Sequence, residues 1–225
     1  MASEELETTM PGPGDRRGQS LAIALGLLAP AWLGAGLLDW HWHRVTKIEE
    51  NAGARESLTH LLMMTETGLP IVAAAFFEIE AGTIALMAAG VAVHELTAMW
   101  DVMYATPRRK VAPREQHTHS FLEVIPYAGL VTAVALFPDR ALALFGIGDR
   151  KARWGFTRKA EPLSLGFRLM LVAGMGACIG IPYAEEFVRC LRARPTLERR
   201  AIPPQPPVTP AHEWALATGA EGYEA

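Results

Sequence analysis

Five apolar blocks, at about residues 20–39, 58–77, 81–104, 120–137 and 163–184, constrain this chain more than any other feature. Each is close to the length needed to cross about 30 Å of hydrocarbon as a helix. Half of the residues are hydrophobic, which a soluble domain could also show, so it is their grouping that decides the class. The third block (Ala-Gly-Thr-Ile-Ala-Leu-Met-Ala-Ala-Gly-Val-Ala-Val) is apolar on every side and rich in small residues. That pattern fits a tightly packed membrane helix and not an alternating barrel strand. The expected fold is therefore all-α and polytopic, with about five transmembrane helices.

A short pattern recurs at the head of two of these blocks: Arg55-Glu56-x-x-Thr59-His60 and Arg114-Glu115-x-x-Thr118-His119. A glutamate and a histidine four residues apart share one helix face. Each pair follows an aspartate at or near the end of the preceding block, Asp39 and Asp101. The repeat implies a duplicated hairpin, 20–78 and 81–138, aligned with a gap of three residues, whose four helices form an antiparallel bundle.

Ionisable groups in membrane helices are costly and mark function. Asp39 and His43, Glu56 and His60, Glu115 and His119 are i, i+4 pairs, and His94 and Asp101 share a face seven residues apart, about 10 Å along the axis. Four carboxylates and four imidazoles match the needs of two divalent metal ions. Mixed oxygen and nitrogen ligation in a helix bundle suits iron, manganese or zinc. The competing reading makes the same residues helix caps and ion pairs, since Glu56 and Glu115 sit in first turns. His41, Glu95, His117 and Glu123 fall off the main stripes and are expected outside the ligand set, around it. Glu66 lies deeper and turned away from His60.

Around this bundle, residues 1–19 are expected to be disordered and too acidic for a secretory leader, 139–162 to form a basic interfacial loop, 163–190 to be the fifth transmembrane helix, and 195–225 to be a disordered proline-rich tail. Arg44, Lys47, Arg55, Arg108, Arg109, Lys110, Arg114 and the arginines after 188 lie on one side of five spans. The positive-inside tendency puts that side, and the metal candidates, in the cytoplasm, although Arg140, Arg150, Lys151, Arg153, Arg158 and Lys159 lie opposite. Cys178 and Cys190 are too few for a disulfide framework. There is no phosphate-cradling glycine loop, serine elbow or dinucleotide fingerprint, and nothing points to nucleic acid.

The combination of Asp39-Trp40 with His43-Arg44, Glu56-Ser57 with His60, His94-Glu95 with Trp100-Asp101, and Glu115-Gln116-His117-x-His119-Ser120 with Leu122-Glu123 and Pro126 resembles a group of small bacterial inner-membrane proteins, over about residues 20–140. More loosely, the layout is similar to membrane-bound di-iron hydroxylases and desaturases, without their His-x-x-x-His and His-x-x-His-His boxes. The resemblance implies a multi-pass inner-membrane location; ligand type alone makes iron the leading metal, with manganese or zinc as alternatives. The leading expectation is an oxidoreductase acting on a lipid or other membrane-soluble substrate. A metal or proton transporter using the same residues as a relay, and a structural or partner-binding membrane protein without catalysis, are the alternatives.

Overall fold

The computed structural model describes residues 13–199, with side chains from 16 to 193. Among these the chain is helical, with no strand beyond one isolated bridge between Phe77 and Arg158. The helices are α1 (Pro13–Val45), α2 (Ile48–Asn51), α3 (Ala54–Phe76), α4 (Ala81–Ala105), α5 (Pro113–Leu136), α6 (Pro138–Ala143), α7 (Leu165–Met175) and α8 (Ile181–Arg199). A π-helical turn, Gly176–Gly180, joins α7 to α8 into one continuous rod. Five rods, α1, α3, α4, α5 and α7–α8, are long and apolar enough to cross a membrane. Ile23, Leu27, Leu69, Val93, Leu96, Val131 and Ile181 point outward. Water would penalise such a surface; lipid accepts it.

The helical boundaries exceed the apolar blocks at both ends. α1 starts at Pro13, where the missing proline N–H costs nothing in a first turn. Residues 13–19 are therefore helical where disorder was expected, and α8 runs on to Arg199. The rest of the expected disordered ends, 1–12 and 200–225, lies outside the described residues.

Packing does not follow the sequence hairpins. α1 lies mainly against α5, and α3 against α4, while α1 and α3 meet only lightly. The α3–α4 approach is close because Pro70 has no N–H to offer the carbonyl of Glu66, and Gly90 of α4 comes up against that carbonyl. A Cβ on Gly90 would stand 2.9 Å from Pro70 Cγ and 3.0 Å from the Glu66 oxygen. The fifth rod is integral to the assembly: Ile179 and Tyr183 pack with Trp32, Ala35, Met64, Leu122 and Ile125 in the middle of the molecule.

The 139–162 segment is not simply a surface loop. It folds over the Glu78-Ile79-Glu80 turn at the bundle end remote from the repeated motifs. Glu78 N–H donates to the Thr157 carbonyl at 2.8 Å, and Gly82 N–H to that of Arg153 at 3.0 Å. Arg150 donates to Glu80 at 2.9 Å and to Asp139 at 3.2 Å, and Arg140 donates to the Ile79 carbonyl at 2.7 Å. The basic run is drawn inward because Glu80 is buried and needs counter-charges.

Candidate metal centre

At the opposite end, helix ends from every rod converge on a buried polar cluster. The C-terminal part of α1 brings Asp39 and His43, the first turns of α3 bring Glu56 and His60, the end of α4 brings Asp101, and the start of α5 brings Glu115 and His119. His43, Glu56 and Glu115 have no exposed surface.

Two adjacent ligand groups result, each built across a packed helix pair. The α1–α5 group comprises Asp39, His43, Glu115 and His119. His119 Nε2 is 2.8 Å and His43 Nε2 3.4 Å from Asp39 Oδ1, and His43 Nε2 is 3.3 Å from Glu115 Oε1. The α3–α4 group comprises Glu56, His60 and Asp101, with His60 Nε2 3.4 Å from Asp101 Oδ2 and 3.8 Å from Glu56 Oε1. The two groups touch through the rings of His43 and His60, stacked at 4.3 Å.

A residue outside the sequence-derived set unites them. Glu186 of α8 is fully buried, with Oε2 2.9 Å from His43 Nδ1 and Oε1 3.2 Å from His60 Nδ1. A carboxylate only accepts, so both rings carry their proton on Nδ1 toward Glu186 and turn Nε2 into the cluster. Carboxylates commonly fix metal-bound histidines in this way. Ile179, Tyr183, Glu186 and Cys190 form a buried stripe at spacings of four, three and four, and that pattern was the available signal for Glu186. The apolar block ends two residues short of it, which hid it.

Arg109, assigned by charge layout to topology, is also part of the cluster. Its side chain is buried, its Nε donates to Glu56 Oε1 at 2.8 Å, and Nη2 reaches both Glu56 and Glu115, the latter at 2.6 Å. Burial alone would lower the guanidinium pKa, but the hydrogen bonds and charges of Glu56 and Glu115 outweigh it and raise it above its ordinary value. Tyr183 donates to Asp39 Oδ2 at 2.9 Å, and the Thr59 hydroxyl lies against Asp101.

His94 stands apart. It is buried two turns deeper, 3.8 Å from Glu66 and 3.5 Å from the Thr67 hydroxyl, because a seven-residue step carries it along the axis away from Asp101. It lines a small open cavity whose other walls include Asp39, His60, Asp101, His119 and Glu123. His41 and His117 are exposed and rest on Trp42 and Phe121, so neither supports the cluster; Glu95 is half-buried and faces Tyr127.

The residues fit metal ions. His43 Nε2, Glu56 Oε2, His60 Nε2 and Glu115 Oε2 are buried without a hydrogen-bond partner. Three residue sets, Asp39–His43–His119, His43–His60–Glu186 and Glu56–His60–Asp101, each hold ligand atoms within 4.8 Å of one another. Ligands bound at about 2.0–2.2 Å in tetrahedral or octahedral array lie about 3–3.6 Å apart, the range of most contacts above. Five carboxylates face a single guanidinium here, and bound cations would offset that acidic excess. Cys178 and Cys190 enter none of the three sets. Comparison with models of known protein families, with curated proteins and with solved structures returns no match.

Proposed function

We propose that the protein is a membrane metalloprotein holding two divalent ions, and that it works as an oxidoreductase on a membrane-soluble substrate. One observation carries this reading: Glu186 takes the Nδ1 side of both His43 and His60, so both Nε2 atoms turn toward the carboxylates of two adjacent buried groups. An ion-pair network without metal has no need of that arrangement, whereas a metal pair does.

The first position would use Asp39, His43, Glu115 and His119, and the second Glu56, His60 and Asp101. The donor sets differ, so the two positions are inequivalent. Oxygen and nitrogen donors without thiolate favour iron, with manganese or zinc as the alternatives. A bound iron pair supplies oxidation of a substrate by dioxygen; zinc would instead activate water. The chain's own residues prepare that chemistry. Arg109 pairs with Glu56 and Glu115, Tyr183 and Thr59 orient Asp39 and Asp101, and the cavity bounded by Met63, Met64, Leu122 and His94 gives an apolar approach to both groups. Exposed Arg44, Arg55, Arg108 and Arg114 surround this end, which supports a cytoplasmic orientation in an inner membrane.

Transport is the weaker reading. Glu66 and His94 continue the polar character one layer deeper, but the space beyond them is walled by Leu, Ile and Ala. An ion crossing there would lose its partners.

The test is metal content of protein purified in detergent, compared with Glu115→Ala, His119→Ala and Asp101→Asn. A metal pair in the native protein, reduced in each variant, is the expected result. A well-folded native protein that takes up no metal on reconstitution refutes the centre. Proton or metal flux into proteoliposomes that depends on Glu66 would favour transport.

A further inference from the structure

A second cavity lies beyond the Glu66–His94 layer, away from the cluster. α1, α3, α4 and α5 border an open-sided, narrow apolar space walled by Leu21, Leu25, Leu28, Ile71, Met87 and Ile125. Its polar floor is Glu66 and Thr67. The wall residues on α1 run from Leu21 to Ala29, about 12 Å along the helix. Gly129 keeps the space open from α5, where a Cβ would meet only Met87 Cε, at 3.8 Å.

The floor is incompletely satisfied. Glu66 Oε1 accepts from the Thr97 hydroxyl at 2.8 Å, but Oε2 is buried without a hydrogen-bond partner. His94 Nδ1, at 3.8 Å, is too far to supply one. An apolar shaft ending on an unpartnered acceptor fits a long chain carrying a hydroxyl donor. Charge narrows the ligand further. No Lys or Arg lines either cavity, while Glu66 lines this one and Asp39, Asp101 and Glu123 line the next. A phosphate or carboxylate head would be repelled.

We propose that this cavity binds a single-chain lipid with a small uncharged oxygen head, such as a long-chain alcohol. Its chain lies among Leu25, Ile71 and Met87, and its hydroxyl donates to Glu66 Oε2. Thr67 and His94 form the remaining partition between that head and the cavity at the cluster. The role of this lipid as substrate rests on the oxidoreductase reading above; its binding does not.

The experiment uses native protein in phospholipid nanodiscs with a fatty alcohol carrying a mid-chain diazirine. Photolysis followed by peptide mass spectrometry locates the adducts, and metal content is measured on the same samples. Adducts are expected on α3 and α4 near Ile71 and Met87. They fall several-fold in Gly129→Leu, which fills the shaft. Excess unlabelled alcohol competes, and competition weakens in Glu66→Gln, a variant that leaves the shaft's shape intact. Adducts spread over outward residues such as Leu27, Val93 and Val131, unchanged in Gly129→Leu and indifferent to the alcohol, overturn the proposal. Metal without selective labelling defeats this proposal alone; selective labelling without metal defeats the dinuclear reading and leaves the lipid site standing.

Discussion

Replacing Glu186 by glutamine tests how the cluster is organised. The substitution keeps size and burial but removes one negative charge and converts one acceptor oxygen to an NH2 donor. In the native protein the two carboxylate oxygens accept from His43 at 2.9 Å and from His60 at 3.2 Å. Glutamine satisfies only one ring in that sense. The other must face an N–H donor, which requires a lone pair on Nδ1 and moves its proton to Nε2, the atom aimed at the ligand oxygens. One metal position should therefore lose the imidazole that Glu186 orients, while the other keeps its own. Losing an orienting partner of a metal-bound histidine typically costs 10–100-fold in affinity, or about 1.4–2.8 kcal/mol. Chelator competition on detergent-purified protein measures this, with Glu185→Gln as control. Glu185 bonds outward to Trp40 at 3.0 Å and pairs with Arg44 and Arg189, so its loss should leave metal affinity unchanged. Affinities at both positions unchanged from the native protein in a folded Glu186→Gln variant would refute the reasoning.

Further outcomes follow from other contacts. Arg109→Leu strands two buried carboxylates and should cost about 3–5 kcal/mol, read as a lowered melting temperature that added divalent metal partly restores. Because the Arg109 pKa is raised, the guanidinium stays charged through alkaline pH, and this contribution should not fade as pH rises toward 10. Tyr183→Phe removes the donor to Asp39 Oδ2 and should cost about 1–3 kcal/mol in thermal stability while weakening the α1–α5 metal position. Gly90→Val forces α3 and α4 apart at Pro70 and should destabilise by about 1–3 kcal/mol in the same melting assay. Glu80→Ala releases Arg140 and Arg150, so limited trypsin digestion should cut at Arg150 and Arg153 much faster than in the native protein.

Much of this was legible in the chain, and the misses have physical causes. Length and apolarity sufficed for the five rods, because a bilayer imposes one helix length on each. The i, i+4 logic brought Asp39, His43, Glu56, His60, Asp101, Glu115 and His119 to one end, since those residues all lie within a turn or so of a helix terminus on the same side. His94 shares a face with Asp101 but not a depth, and periodicity alone does not weigh depth. Helix pairing was also out of reach. Repeats show that α1–α3 and α4–α5 are related, yet side-chain shape, such as Gly90 against Pro70, sets α3 on α4. Glu186 was hidden by reading the fifth block as it ended, when α8 continues beyond Glu186. Arg109 was read as a topological charge because a loop arginine carries no sign of which carboxylates will fold over it.

The position of Glu186 in the last rod has a consequence for how the molecule is made. During synthesis Asp39, Glu56, Asp101 and Glu115 enter the membrane first, and the residue that orients two of their histidines arrives only with α8. Until then His43 and His60 lack the carboxylate that fixes their rings. On the two-ion reading, loading waits for the final helix to dock, so a ribosome-bound intermediate lacking α8 should be metal-poor and open to quality-control proteolysis.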